Sequence, residues 1–193
     1  MFEHNVALSV NLAFKHRDDR VFLLCVLISV LSNPAKPSMY AYYLLNKLGS
    51  DIIKQGDGYI ITKSDDAYQI LCYNYTYFDS LGMSGDFSRE TESNRYQIFL
   101  EKPTIEFNIH ISGIRESKYK QRLYSLDREH GSAFDIWVEM GMPENMTQDE
   151  INYLKDVSVP SISTREFIIE DAYRAIVTVP LFGCVLILIN PVQ

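Results

Sequence analysis

The chain has 193 residues, 47% of them apolar and 22% charged, enough to bury a real core in one domain or one domain plus a fragment, and not the composition of a disordered chain. Eighteen basic residues against twenty-five acidic ones leave a formal charge of −7, the wrong sign for holding phosphate backbones, so nucleic-acid binding by this segment alone is disfavoured. Cys25, Cys72 and Cys184 are odd in number and widely spaced, unlike a zinc site or a secreted disulfide framework, and Met1–Asn5 opens no secretory signal; the expected location is the cytoplasm.

Residues 1–35 resist assignment: a polar knot from Lys15 to Arg20 precedes the apolar stretch Val21–Leu31. Neither that stretch nor Ala175–Ile189, interrupted by Pro180 and Gly183, reaches the about 20 apolar residues of a membrane-crossing helix, and buried strands or a buried helix are expected instead. Pro37 suits the first turn of a helix. From Ser38 to Leu48, Tyr40, Leu44 and Leu48 recur at helical spacing beside Ala41 and Leu45, with Gly49 as a left-handed stop. After Gly56-Asp57-Gly58 the grammar becomes that of short strands: Tyr59–Thr62 and Tyr68–Tyr75 form a hairpin across Asp65-Asp66. The stretch from Phe78 to Asn94 is expected to be a long loop.

Thr104–Ser112 alternates cleanly, with Ile105, Phe107, Ile109 and Ile111 facing the core and Glu106, Asn108, His110 and Ser112 facing water. Further strands are expected at Tyr96–Leu100, Tyr119–Leu126, Glu166–Ile169, Tyr173–Val179 and Cys184–Ile189. One short surface helix is announced by the capping box of Thr147 and Glu150 and ended by Pro160. The whole reads as mainly β: an antiparallel β-sandwich with an amphipathic helix before it and a short helix within it.

The run Lys36-Pro37-Ser38-Met39-Tyr40-Ala41-Tyr42-Tyr43-Leu44-Leu45-Asn46-Lys47-Leu48-Gly49 resembles the last barrel helix of glycoside hydrolase family 39, the β-xylosidase family. Tyr59-Ile60-Ile61-Thr62 and Gln69 to Tyr75 resemble the first strands of the β-sandwich that comes after it there. His130-Gly131-Ser132-Ala133-Phe134-Asp135-Ile136-Trp137 resembles that sandwich's most distinctive motif, and the likeness continues through Met140–Pro143 and Tyr153–Lys155. The resemblance covers about residues 36–190 and implies three parts: a divergent segment 1–35, a barrel-type helix in 36–56 and an accessory sandwich in 57–193.

For chemistry the resemblance implies little. A retaining glycosidase works with two carboxylates about 5 Å apart on barrel strands, and in this family those glutamates lie upstream of the matching helix. Glu3 is the only acidic residue before Asp18, in no strand context, so no catalytic residue is assigned, and no metal or cofactor is expected. The implied partners are the catalytic barrel of a parent protein or a second copy of the chain, with no membrane. Such regions also occur fused to AraC-type helix-turn-helix domains, which makes a sugar-responsive regulator the alternative parent. A self-standing module binding xylo-oligosaccharide is a further one.

His130, Ser132 and Asp135 carry the residue types of a hydrolytic triad, but within six residues and without a nucleophile elbow. The structural reading is preferred: Gly131 makes a turn, Ser132 or Asp135 bonds the local backbone, and Phe134 with Trp137 anchors the next segment. Asp65-Asp66, Asp127 with Glu129, and Asp149-Glu150 lack the spacing of a calcium loop and suit turns and caps. The basic run Arg115, Lys118, Lys120 and Arg122 suits a solvated strand. Tyr40, Tyr42, Tyr43, Tyr59, Tyr68, Tyr73, Tyr75 and Tyr77 suit packing more than a sugar-stacking face.

Overall fold

The computed structural model describes residues 37–75 and 104–192. The segment 1–35, the loop 78–94 and the strand expected at Tyr96–Leu100 lie outside them.

Helix α1 (Pro37–Leu45) begins at its proline. Its end tightens: Asn46 N donates to Tyr42 O, while Lys47 N and Leu48 N reach back only three residues, to Leu44 O and Leu45 O. Gly49 comes next, but not as the left-handed stop expected, because it is not among the positive-φ residues. Its role is closeness. Gly49 N donates to Thr62 Oγ1 (2.8 Å) and Gln69 Oε1 (3.1 Å), and Thr62 Oγ1 donates to the same Gln69 oxygen (2.8 Å). A side chain there would collide with Gln69 Oε1 and with the Lys63 carbonyl.

Strands β1 (Asp51–Gly56), β2 (Tyr59–Ser64) and β3 (Ala67–Tyr73) form a meander. The β2–β3 hairpin expected across Asp65-Asp66 is present, with Ser64 paired to Ala67 and Asp65 left-handed at φ 52°. Strand β1 was not expected: Asp, Lys, Gln and Gly dilute its two isoleucines, and a register shift between Ile52 and Lys54 breaks its alternation.

After β4 (Ile105–Ser112) and β5 (Ser117–Leu126) come two helices, α2 (Ala133–Glu139) and α3 (Gln148–Val157). Only α3 was expected, and its capping box is complete: Glu150 N donates to Thr147 Oγ1, and Thr147 N and Oγ1 both donate to Glu150 Oε2, which holds the Glu150 carboxyl below the usual range. Strands β6 (Ser161–Ile169), β7 (Ala172–Val179) and β8 (Cys184–Pro191) complete the described chain.

All pairings are antiparallel. A six-stranded sheet has the order β1-β2-β3-β8-β5-β6, and β4 pairs with β7 in a two-stranded ribbon. The ribbon lies over one face of the sheet. Between them sits the main core, where Ile70 and Cys72 of β3, Val185, Ile187 and Ile189 of β8, and Tyr119 of β5 meet Ile109 of β4 and Tyr173, Val177 and Val179 of β7. On the opposite face α1 covers the sheet, with Leu44 buried among Leu71, Tyr124, Leu126 and Leu186, and Tyr40, Ala41, Leu45 and Leu48 packed alongside. The apolar stripe of α1 is therefore covered by the sheet of its own chain. This double cover explains why β3 and β8 read as nearly unbroken apolar runs, while β4, covered on one face only, alternates.

Candidate functional site

The motif His130–Trp137 forms the corner where β5 turns into α2. Asp127 Oδ1 gathers three donors, the backbone N–H groups of Glu129 (2.9 Å) and His130 (2.8 Å) and the His130 ring at Nδ1 (2.9 Å). Asp127 N in turn donates to His130 O, which closes the loop, and Gly131 leaves it at φ 93°. Ser132 caps α2 by accepting from Asp135 N (3.3 Å), and its hydroxyl donates to Asp135 Oδ2. Arg128 clasps the other Asp135 oxygen through Nε (2.9 Å) and Nη2 (2.7 Å). Trp137 Nε1 donates to Pro143 O (3.1 Å), tying the chain beyond α2 back to it.

His130 and Ser132 are thus engaged by different carboxylates, Asp127 and Asp135 respectively. Two local pairs stand where a relay would need one chain of contacts. The anchoring differs from expectation in one respect: Phe134 and Trp137 pack on each other at 5.8 Å but are only half-buried, and no side chain of α2 is buried. The corner is held by its polar bonds. A seven-residue helix in a stretch mixing Ala, Phe, Asp, Ile, Trp and Val carries too little periodicity to be read from sequence.

A second polar centre was not expected from the sequence. Gln121, on the core face of β5, is buried, and its Oε1 accepts from Arg165 Nε (3.1 Å), Arg165 Nη2 (2.9 Å) and the Tyr173 hydroxyl (2.9 Å). The three residues come from β5, β6 and β7, so the knot fastens the six-stranded sheet to the ribbon. Arg165 also lies over the Phe167 ring at 5.4 Å, and Phe167 packs against Tyr173 at 5.8 Å. Burial raises the Tyr173 hydroxyl above its ordinary range, opposed by the Arg165 charge. The signal was there in β5, where Gln121 shares the parity of Tyr119 and Leu123 and not that of Lys120 and Arg122. Beside the knot lies a shallow groove of about 230 Å³, lined by Arg165, Phe167, Ile169, Tyr173 and Arg174 among others and by no carboxylate. Such walls offer a fixed guanidinium and ring faces, which suits holding a polar molecule and supplies no acid–base pair.

The remaining candidates fall into structural places. Lys118 pairs with Glu166 at 2.7 Å and lowers its carboxyl pKa; Lys118, Lys120 and Arg122 stand on the face of β5 opposite Gln121, ahead of the Tyr124 and Leu126 that α1 covers. The tyrosines do not share a platform: Tyr43 packs edge-on to Tyr124 beside α1, Tyr59 against Phe107, and Tyr75 against Phe182, while Tyr77 lies outside the described residues. Cys72 and Cys184 are free thiols on opposite faces of the sheet, each pushed up to about 12 by burial. Among the described residues, no group of three or more His, Cys, Asp or Glu could hold a metal ion, and no helix is long and apolar enough to cross a membrane.

The described chain is a mainly antiparallel β-sandwich with short helices at its margins. In fold it is similar to glycoside hydrolase family 39 enzymes, as the residues quoted above had implied. The crystal structure of the GH39 enzyme from Xanthomonas axonopodis pv. citri matches with a TM-score of 0.63 at 12% identity, over 82% of this chain and 31% of that one. That of a monomeric beta-xylosidase from Caulobacter crescentus CB15 matches with a TM-score of 0.62 at 19% identity, over the same shares of the two chains. No family model matches the sequence. Curated proteins similar in sequence include an uncharacterized HTH-type transcriptional regulator of Staphylococcus aureus strain COL, 27% identical over 139 residues, which are 72% of this chain and 17% of the regulator. Another, of strain N315, is 25% identical over 155 residues, 80% of this chain and 19% of the regulator. The chain thus spans less than a fifth of the regulators and under a third of the enzymes it matches.

Proposed function

We propose that this chain is the non-catalytic, accessory β-sandwich of a protein resembling glycoside hydrolase family 39, and that the parent is a helix-turn-helix regulator of the AraC kind. A β-xylosidase was the parent expected first from the sequence. One observation moves the choice: regulators resemble the chain at 25–27% identity over most of its length, whereas the enzymes share its shape at 12–19%. The geometry agrees with a role without chemistry. The His130–Trp137 corner spends its polar groups on holding itself together, and the groove beside Gln121 has no acid to donate a proton.

In this reading the sandwich serves as a scaffold that meets the rest of its parent, or a second copy, through its surfaces, and DNA contact is left to a separate domain, consistent with its charge of −7. The test has two arms. The coding sequence upstream should contain a helix-turn-helix segment; an intact barrel with both glutamates would return the parent to the xylosidases. The purified chain should leave a chromogenic β-xyloside uncleaved, and turnover abolished by a single Glu or Asp substitution would overturn the non-catalytic reading. Calorimetric heat with xylo-oligosaccharides at millimolar concentration would point instead to a carbohydrate-binding module.

A further inference from the structure

The two edges of the six-stranded sheet are built differently. At one end, β1 is six residues long, broken by the register shift between Ile52 and Lys54, and carries a lysine; these are devices that keep an edge from pairing. At the other end, β6 is nine residues long and keeps unbroken register with β5 from Ser117↔Ile169 to Ser125↔Ser161. It contains no Pro, Gly or Lys, and among the described residues no strand pairs with its outer side. Its outward face presents Ile162 and Ile168, which are 61% and 67% exposed and stand on the same face of the edge strand, six residues apart.

We infer that β6 pairs antiparallel with β6 of a second copy, about a two-fold axis through Arg165. In a two-fold antiparallel pair, each residue faces the one equally far on the other side of the axis, so facing residues share a sheet face. An axis at Arg165 sets Ile162 against Ile168 twice and Thr164 against Glu166 twice. Moving it to Thr164 would set Ile162 against Glu166, and moving it to Glu166 would set Ile168 against Thr164. Only the central register covers each exposed isoleucine with another. The two Arg165 side chains that meet at the axis turn away from each other, because each guanidinium reaches back to Gln121 Oε1, its own cross-strand neighbour on β5. The pairing joins two six-stranded sheets into one continuous sheet and depends on neither parent assignment.

The test is sedimentation of the full chain over a concentration series, with the variants Ile162→Lys and Ile168→Glu alone and mixed. Both sites are exposed, and circular dichroism reports whether each variant keeps the fold. The unsubstituted chain should dimerise at micromolar concentration, and each single variant should weaken the dimer about ten-fold or more. An equimolar mixture should regain most of the loss, because the lysine that one variant carries at position 162 then faces the glutamate that the other carries at position 168, while the second Ile–Ile pair is restored. A chain monomeric at hundreds of micromolar would overturn the inference, as would a dimer that neither variant weakens, or a mixture no tighter than the variants alone.

Discussion

Replacing Gly49 with alanine tests how α1 is fastened to the sheet. A Cβ at this position would stand 2.5 Å from Gln69 Oε1 and 2.6 Å from Lys63 O. The glutamine is buried in the Thr62–Gln69 knot, and the carbonyl belongs to the backbone of a paired strand, so neither has room to yield. The turn after α1 must lift instead. Overpacking of this kind costs about 1–3 kcal/mol, and weakening the two bonds from Gly49 N adds about 1 kcal/mol, against about 0.5 kcal/mol regained from the stiffer unfolded chain. The net is about 1.5–3.5 kcal/mol, or a fall in Tm of about 3–14 °C at this chain length. Urea and thermal unfolding followed by circular dichroism would measure it. Gly113→Ala is the control: its Cβ meets open space, and only its φ of 73° is strained, for about 1 kcal/mol. A Gly49→Ala variant within about 0.5 kcal/mol of the unsubstituted chain, or milder than the control, would refute this account of the junction.

Gln121→Leu should cost about 2 kcal/mol by leaving the buried Tyr173 hydroxyl without its acceptor, and adding Tyr173→Phe should recover part of that in a double-mutant cycle of urea midpoints; strictly additive losses would contradict the shared knot. Stability should be level just below pH 9 and fall as pH rises from about 9 towards 12. The thiols of Cys72 and Cys184 stay protonated in the folded chain, pushed up to about 12, but ionise near 9 once unfolded, and the raised Tyr173 hydroxyl adds to the same trend. Urea midpoints from pH 7 to 11 that stay flat would contradict this, and Cys72→Ala should shallow the slope.

Where a strand is covered on one face or on both, its pattern was plain in the sequence. The alternation of Ile105–Ser112 marked β4, and the apolar runs at Tyr68–Tyr73 and Cys184–Ile189 marked β3 and β8. Where neighbours and not periodicity decide the conformation, the sequence was mute. The first half of β6, Ser161–Arg165, is polar because it lies at the sheet edge, and it becomes a strand only by pairing with β5. Gly49 looked like a helix stop because glycine after a helix usually is one, whereas here the constraint comes from Lys63 and Gln69, fourteen and twenty residues on. The His130–Trp137 run reads in the sequence as a turn at Gly131 followed by an anchor, but the helix inside it depends on a serine cap and an arginine–aspartate clasp that only geometry reveals. The Gln121 knot draws on three strands, and its partners lie 44 and 52 residues away.

The place of β8 in the sheet bears on how the molecule comes into being. It is the last strand in chain order among the described residues, yet it stands between β3 and β5. Before it arrives, β1–β3 and β5–β6 are two separate patches, each presenting an unpaired strand edge, with no other strand of the sheet hydrogen-bonded to both. Assembly must therefore wait until Cys184–Pro191 has been made, when a single strand enters as a keystone and converts two half-sheets into one. A nascent chain stalled, or a polypeptide clipped, just before Cys184 would lose far more structure than that one strand. Its failure would show as aggregation through the β3 and β5 edges, not as local fraying.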